Sequence, residues 1–230
     1  PVLVATDLSA SMRFGSKLLC KSVQAAHLAA LIAWHAKERG DRLGGIVFND
    51  EKHLECKPRS RKQGVLHYLH NLIELHKEAQ IDSPMGVTTS FEQNCQRIRQ
   101  IARPGSLVYL ITDGHAINDE SVRHLSRVSQ HCELIVCQIT DPLEQALPQV
   151  SQRQNVAMTD GASRQQVTLG DAKTNQQYHQ HVSAIMQTRK QLFTKAGARF
   201  MSLSAGESIE KQLTNGVSGW TVSYTHLRAH

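Results

Sequence analysis

Short apolar runs separated by stretches of helical periodicity constrain this chain more than any other feature. Val2 to Thr6, Leu43 to Phe48, Ser106 to Ile111 and Cys132 to Gln138 are too continuously apolar to be strands with one wet face. Strands buried on both faces read this way. Arg199 to Leu203 is a further short strand. Apolar residues at 3.6 spacing mark helices between them: Ser16 to Arg39, Arg61 to Glu78, Phe91 to Ala102, Asp119 to Gln130, Asp171 to Ala196 and a short Glu207 to Leu213. Strand and helix alternating throughout imply an α/β class, with a mostly parallel sheet and helices on both faces.

Local signals refine the elements. In the first helix Leu19, Val23, Ala26, Ala30 and Ala33 share a face, Ser16 is placed to cap the start, and Gly40 ends it. Asn49-Asp50 makes a turn, and Glu51 to Cys56 is polar enough for an antiparallel edge strand. The second helix is expected to turn Val65, Leu66, Leu69, Leu72, Ile73 and Leu75 inward, and the third Phe91, Cys95, Ile98 and Ile101. Asn118 caps the fourth. The long helix carries Tyr178, Val182, Ile185, Leu192 and Phe193 on one side, with a hairpin before it around Asp160-Gly161. A single domain over residues 1–217 is expected. Residues 218–230, whose Ser223 to His230 resembles translated vector sequence, are set aside as a tail.

Charge and cysteine content narrow the function. The net charge is +6, yet only Lys57 to Lys62 forms a basic cluster, and no aromatic-interleaved stripe accompanies it. That argues against nucleic acid and suits an acidic protein partner. Five cysteines without paired spacing read as thiols in a reducing compartment. No apolar run approaches the ~20 residues that span a bilayer. A cytoplasmic protein is expected, with an anchor upstream of Pro1 left open because Pro1 already adjoins a strand.

The chemistry gathers at three strand ends or helix starts. Asp7-Leu8-Ser9-Ala10-Ser11 follows the first strand, Thr88-Thr89-Ser90 opens the third helix, and Thr112-Asp113-Gly114 follows the Ser106 to Ile111 strand. In a parallel sheet these all lie at the carboxyl edge, where ligands bind. Carboxylate and hydroxyl oxygens alone suit a hard cation such as Mg²⁺. The Thr88 and Thr89 hydroxyls serve equally well as caps. His67 and His70 are three apart, but no Cys or carboxylate completes a metal set around them.

Asp7-x-Ser9-x-Ser11 with Thr88/Thr89 and Thr112-Asp113-Gly114 resembles the metal-ion-dependent adhesion site of von Willebrand factor type A domains. Gly40-Asp41-Arg42-Leu43-Gly44, then Ile46-Val47-Phe48 and Asp50, is similar to the bacterial family named domain of unknown function fifty-eight. The resemblance spans about residues 2–214. It implies a Rossmann-like von Willebrand factor A fold and a Mg²⁺ site (Mn²⁺ or Ca²⁺ in its place) ligated by Asp7, Ser9, Ser11, Thr89 and Asp113, with Thr88 an alternative to Thr89. It further implies a non-enzymatic adaptor or co-chaperone of a MoxR-type AAA+ ATPase, binding a partner's Asp or Glu through the metal. The chain has no G-x-x-x-x-G-K-S/T loop, so nucleotide hydrolysis is assigned to a partner. The competing expectation is a Mg²⁺-dependent phosphohydrolase of haloacid-dehalogenase type with Asp7 as nucleophile. That chemistry wants a second Asp two residues on as general acid, where this chain has Ser9. A third is a scaffold without metal.

Overall fold

The computed structural model describes residues 1–78, 90–148, 150, 153–159 and 164–215. Six strands form the main sheet: β1 (Val2–Asp7), β2 (Leu43–Phe48), β3 (His53–Arg59), β4 (Leu107–Thr112), β5 (Glu133–Thr140) and β8 (Arg199–Ser204), in the order β3-β2-β1-β4-β5-β8. All neighbours are parallel except β2 and β3, which makes β3 the antiparallel edge. β6 (Gln154–Thr159) and β7 (Arg164–Leu169) pair as a separate hairpin. The expected turn at Asp160-Gly161 lies outside the described residues, as does the tail 218–230.

The helices are α1 (Lys21–Glu38), α2 (Arg61–Glu78), α3 (Phe91–Ile101), α4 (Asp119–Ser129), α5 (Ala172–Lys195) and α6 (Ile209–Thr214). Side-chain alternation along the central strands builds two cores. Val2, Val4, Tyr109, Ile111, Cys137 and Ile139 meet α1, α2 and α6 on one face. Leu3, Ala5, Val108, Leu110 and Val136 meet α3, α4 and the end of α5 on the other. Gly45 is required where β2 passes β1 and α2. A Cβ there would lie 2.2 Å from the Val4 carbonyl oxygen and 2.8 Å from the Tyr68 ring.

Several expectations need correction. α1 starts at Lys21 rather than Ser16, its buried face is Ala25, Leu28, Ala29, Ile32, Ala33 and Ala36, and Cys20 precedes it without a side-chain cap. Ser16 is drawn away because its amide and hydroxyl both donate to Asp141. Leu66 and Ile73 are exposed, and Tyr68 takes the inward position because its hydroxyl is paired with Thr6 Oγ1 at 2.6 Å. The edge strand runs two residues later than expected and reaches Arg59, through Pro58. A 3-10 turn at Pro142–Glu144 follows β5. In α5 Phe193 is buried and Leu192 packs partly buried against the same core, Tyr178 and Val182 are half-buried, and of the expected stripe Ile185 is the member that faces outward. Ser90 and Asn118 do cap α3 and α4, accepting from the amides of Gln93 and Ser121.

Candidate functional site

After β1 the chain adds β2 and β3 to one side, then returns to place β4 on β1's other side. That reversal opens a crevice at the carboxyl ends of β1 and β4, the place where open α/β sheets bind ligands. Thr6 pairs with Ile111 in register, so Asp7 and Asp113 emerge side by side.

Asp7 is 2% exposed. Its Oδ1 accepts the Ser9 amide at 2.9 Å and its Oδ2 accepts the Thr112 hydroxyl at 2.7 Å. These bonds favour the ionised form, but burial and then the neighbouring Asp113 charge outweigh them and push the carboxyl up to about 7. A 3-10 turn at Ala10–Arg13 follows, preceded by Ser9, whose side chain makes no capping bond. The Ser9 hydroxyl instead sits 3.3 Å from the Ser11 hydroxyl, and the Ala10 amide donates to Asp50 Oδ2 at 2.6 Å. The loop thus presents two hydroxyls beside the Asp7 carboxyl.

Asp113 is 3% exposed and is held from both faces of the sheet. Its Oδ1 accepts the His115 amide at 2.9 Å, and its Oδ2 accepts the Lys21 ammonium at 2.8 Å. Burial alone would raise this carboxyl. The Lys21 charge and bond, with the His115 amide and the Ser11 hydroxyl, carry it below its ordinary value instead. From the opposite face, Gln138 Nε2 and Arg189 Nη1 donate to its carbonyl at 3.1 and 3.4 Å. Gly114 follows at φ +69°, where a Cβ would meet the Phe193 ring at 2.9 Å. Only glycine holds that left-handed turn under the ring without strain.

Lys21, absent from the sequence-derived site, is central to it. It is 1% exposed, yet its ammonium reaches Asp113 and, at 2.5 Å, Glu144 Oε1. Burial opposes the charge, but the two carboxylates raise its pKa above the ordinary value. Asp141, fully buried on the same loop as Glu144, accepts the Ser16 amide at 2.8 Å, the Ser16 hydroxyl and the Leu143 amide at 2.9 Å. One sequence signal points to Lys21. A lysine opening a helix faces the positive end of the helix dipole, an unfavourable position unless a carboxylate answers it.

The structure therefore brings together Asp7, Ser9, Ser11 and Asp113. Thr89 and its alternative Thr88 lie outside the described residues. Among the described residues no cluster of three or more His, Cys, Asp and Glu forms a metal site, which covers His67 and His70. The donor chemistry at the crevice nevertheless fits a hard divalent cation: two carboxyl groups and two hydroxyls, all oxygen. The charge balance points the same way. Asp7, Asp113, Asp141 and Glu144 crowd one end of the sheet, and among the described residues the ion pairs of that cluster run to Lys21. Asp7, with no cationic partner among the described residues, is the group whose carboxyl rises. No helix among the described residues is long and apolar enough to cross a membrane.

The family described as "Protein of unknown function DUF58" matches residues 1–189 of the chain. No curated protein matches the sequence. Among solved structures, the chain is similar to the conserved hypothetical protein BatB from Bacteroides thetaiotaomicron, with TM-score 0.53 and 12% identity over 93% of this chain and 94% of that one. An aerotolerance-related membrane protein from Bacteroides fragilis NCTC 9343 gives TM-score 0.50 and 15% identity over 93% and 96%. A von Willebrand factor type A protein from Catenulispora acidiphila gives TM-score 0.44 and 14% identity over 60% and 33%.

Proposed function

The chain belongs to the DUF58 family and has a von Willebrand factor A-like fold, and from that premise we propose that it is a metal-dependent protein-binding module. Asp7, Ser9, Ser11 and Asp113 would hold a Mg²⁺ ion, with Thr89 as a further ligand. The bound ion would supply an electrophilic centre that captures an Asp or Glu side chain of a partner. The chain's own residues do the rest. Thr112 and the Ser9 amide fix the Asp7 carboxyl in place, while Lys21 and the His115 amide fix that of Asp113. The single observation carrying this reading is geometric: the carboxyls of Asp7 and Asp113 are buried together at the strand ends beside the Ser9 and Ser11 hydroxyls, and among the described residues Asp7 has no cationic partner.

The partner we propose is a MoxR-type AAA+ ATPase, for which this chain acts as adaptor or co-chaperone in remodelling protein complexes. The +6 net charge favours an acidic protein surface generally. Capture from native lysate, with and without EDTA, tests the proposal. Recovery of an AAA+ ATPase only in the presence of metal is the expected result, and equal recovery in EDTA contradicts it. Turnover of a generic phosphate ester, dependent on Asp7, would favour the hydrolase instead.

A further inference from the structure

Lys21 occupies an unusual place for a lysine. Its side chain is 1% exposed, its ammonium rests against Asp113 at 2.8 Å, and its other partner, Glu144, belongs to a loop across the crevice. Asp113 is one of the residues assigned above to the metal. An ammonium and a divalent cation thus seek the same carboxylate, and like charges at such separations repel strongly where water is excluded.

Resting on the metal-binding reading above, we propose that Lys21 is an internal cation that competes with divalent metal for Asp113. Glu144 is its second anchor, and it keeps the ammonium paired when Asp113 changes partner. The lysine stabilises the metal-free protein by pairing with a carboxylate that would otherwise be buried alone. By the same contact it lowers the site's affinity, so that the metal is held loosely enough to be exchanged. The chemistry is purely electrostatic and involves no bond change. Among the described residues no other cation is arranged this way: the Arg189 guanidinium bonds the Asp113 carbonyl and His115, and leaves the Asp113 carboxyl to Lys21.

The test is calorimetric titration of the full chain with MgCl₂ alone, paired with thermal unfolding in EDTA, for wild type, K21M, E144Q and K21M/E144Q. Methionine keeps the length and removes the charge. K21M is expected to bind Mg²⁺ roughly tenfold tighter or more, as removal of one positive charge beside a partly buried divalent site implies. It is also expected to melt lower than wild type in EDTA. E144Q is expected to weaken binding in the wild-type background and to leave it unchanged in K21M. A simple loss of nearby negative charge would weaken both equally.

The outcomes separate the two ideas. If wild type and K21M bind with equal affinity, or K21M binds more weakly, the competition is overturned while the metal site stands. If wild type takes up no metal but K21M does, the lysine has replaced the metal outright, which supports the competition and overturns the metal-dependent reading. If neither binds, both fall. Should K21M fail to fold, K21Q and K21Q/E144Q take its place in the same comparison: tighter binding than wild type, insensitive to E144Q, supports the competition, and equal or weaker binding overturns it.

Discussion

Replacing Asp7 by Asn should stabilise the metal-free protein at alkaline pH. In the folded state the Asp7 carboxyl is raised from 3.8 to about 7, chiefly by burial and then by Asp113. Below 3.8 both folded and unfolded chains hold the proton, and the group contributes no pH dependence. Between there and about 7 the unfolded chain ionises while the folded one keeps its proton, so stability falls as pH rises. Above that the loss is complete, about 4 kcal/mol at roughly 1.4 kcal/mol per pH unit. Asn carries no charge and escapes this loss. Its oxygen can still accept the Ser9 amide, but its amide nitrogen cannot accept the Thr112 hydroxyl, which costs about 1 kcal/mol. The net gain is about 2–3 kcal/mol near pH 8, or roughly 5–10 °C in Tm for a domain of this size. Near pH 5 the difference should shrink to about 1 kcal/mol or less. Thermal unfolding in EDTA across that range measures it directly. Adding Mg²⁺ should then raise the Tm of wild type and leave D7N where it is. A D7N protein less stable than wild type at the alkaline end, or a difference independent of pH, refutes the electrostatic account of Asp7.

Three further substitutions probe the scaffold around the crevice. Tyr68→Phe strands the buried Thr6 hydroxyl and should cost about 1–2 kcal/mol by chemical denaturation, with Thr6→Val in the same chain recovering part of it. Ser16→Ala removes a hydroxyl donor from buried Asp141, while the backbone amide remains. A loss of about 1–2 kcal/mol is expected, read as a lower denaturation midpoint with unchanged slope. Gly45→Ala forces a methyl against the Val4 carbonyl and the Tyr68 ring, where the backbone cannot yield. A loss of about 3 kcal/mol or more should appear as poor soluble yield.

Much of the architecture was readable because each central strand is buried on both faces and each parallel neighbour must be reached through a helix. The same logic placed Asp7 at the end of β1 and Asp113 directly after β4, since a strand's end is fixed once its apolar run is known. Helix faces were less legible. In α1 the inward face is offset from the expected one, since Lys21 and Gln24 are buried by polar contacts that hydrophobic periodicity cannot register. Leu66 and Ile73 point outward because a tyrosine with a hydroxyl to satisfy claims the inward position. Lys21 escaped notice for a different reason. Its partners lie 92 and 123 positions away, and one of them, Glu144, sits in a 3-10 turn with no strand pattern to announce it.

The sheet that carries the crevice also partitions the interior. Val4 belongs to one core and Leu3 and Ala5 to the other, so repacking under α1 and α2 has little direct contact with repacking under α3 and α4. Substitutions on opposite sides should therefore sum in their effects, and over evolutionary time the two halves can drift as nearly separate accounts of sequence change. Asp113 is where that independence ends. Its carboxyl is tied to a helix of one half, and its carbonyl to a strand residue and a helix of the other. Variation on either side is free until it shifts this residue.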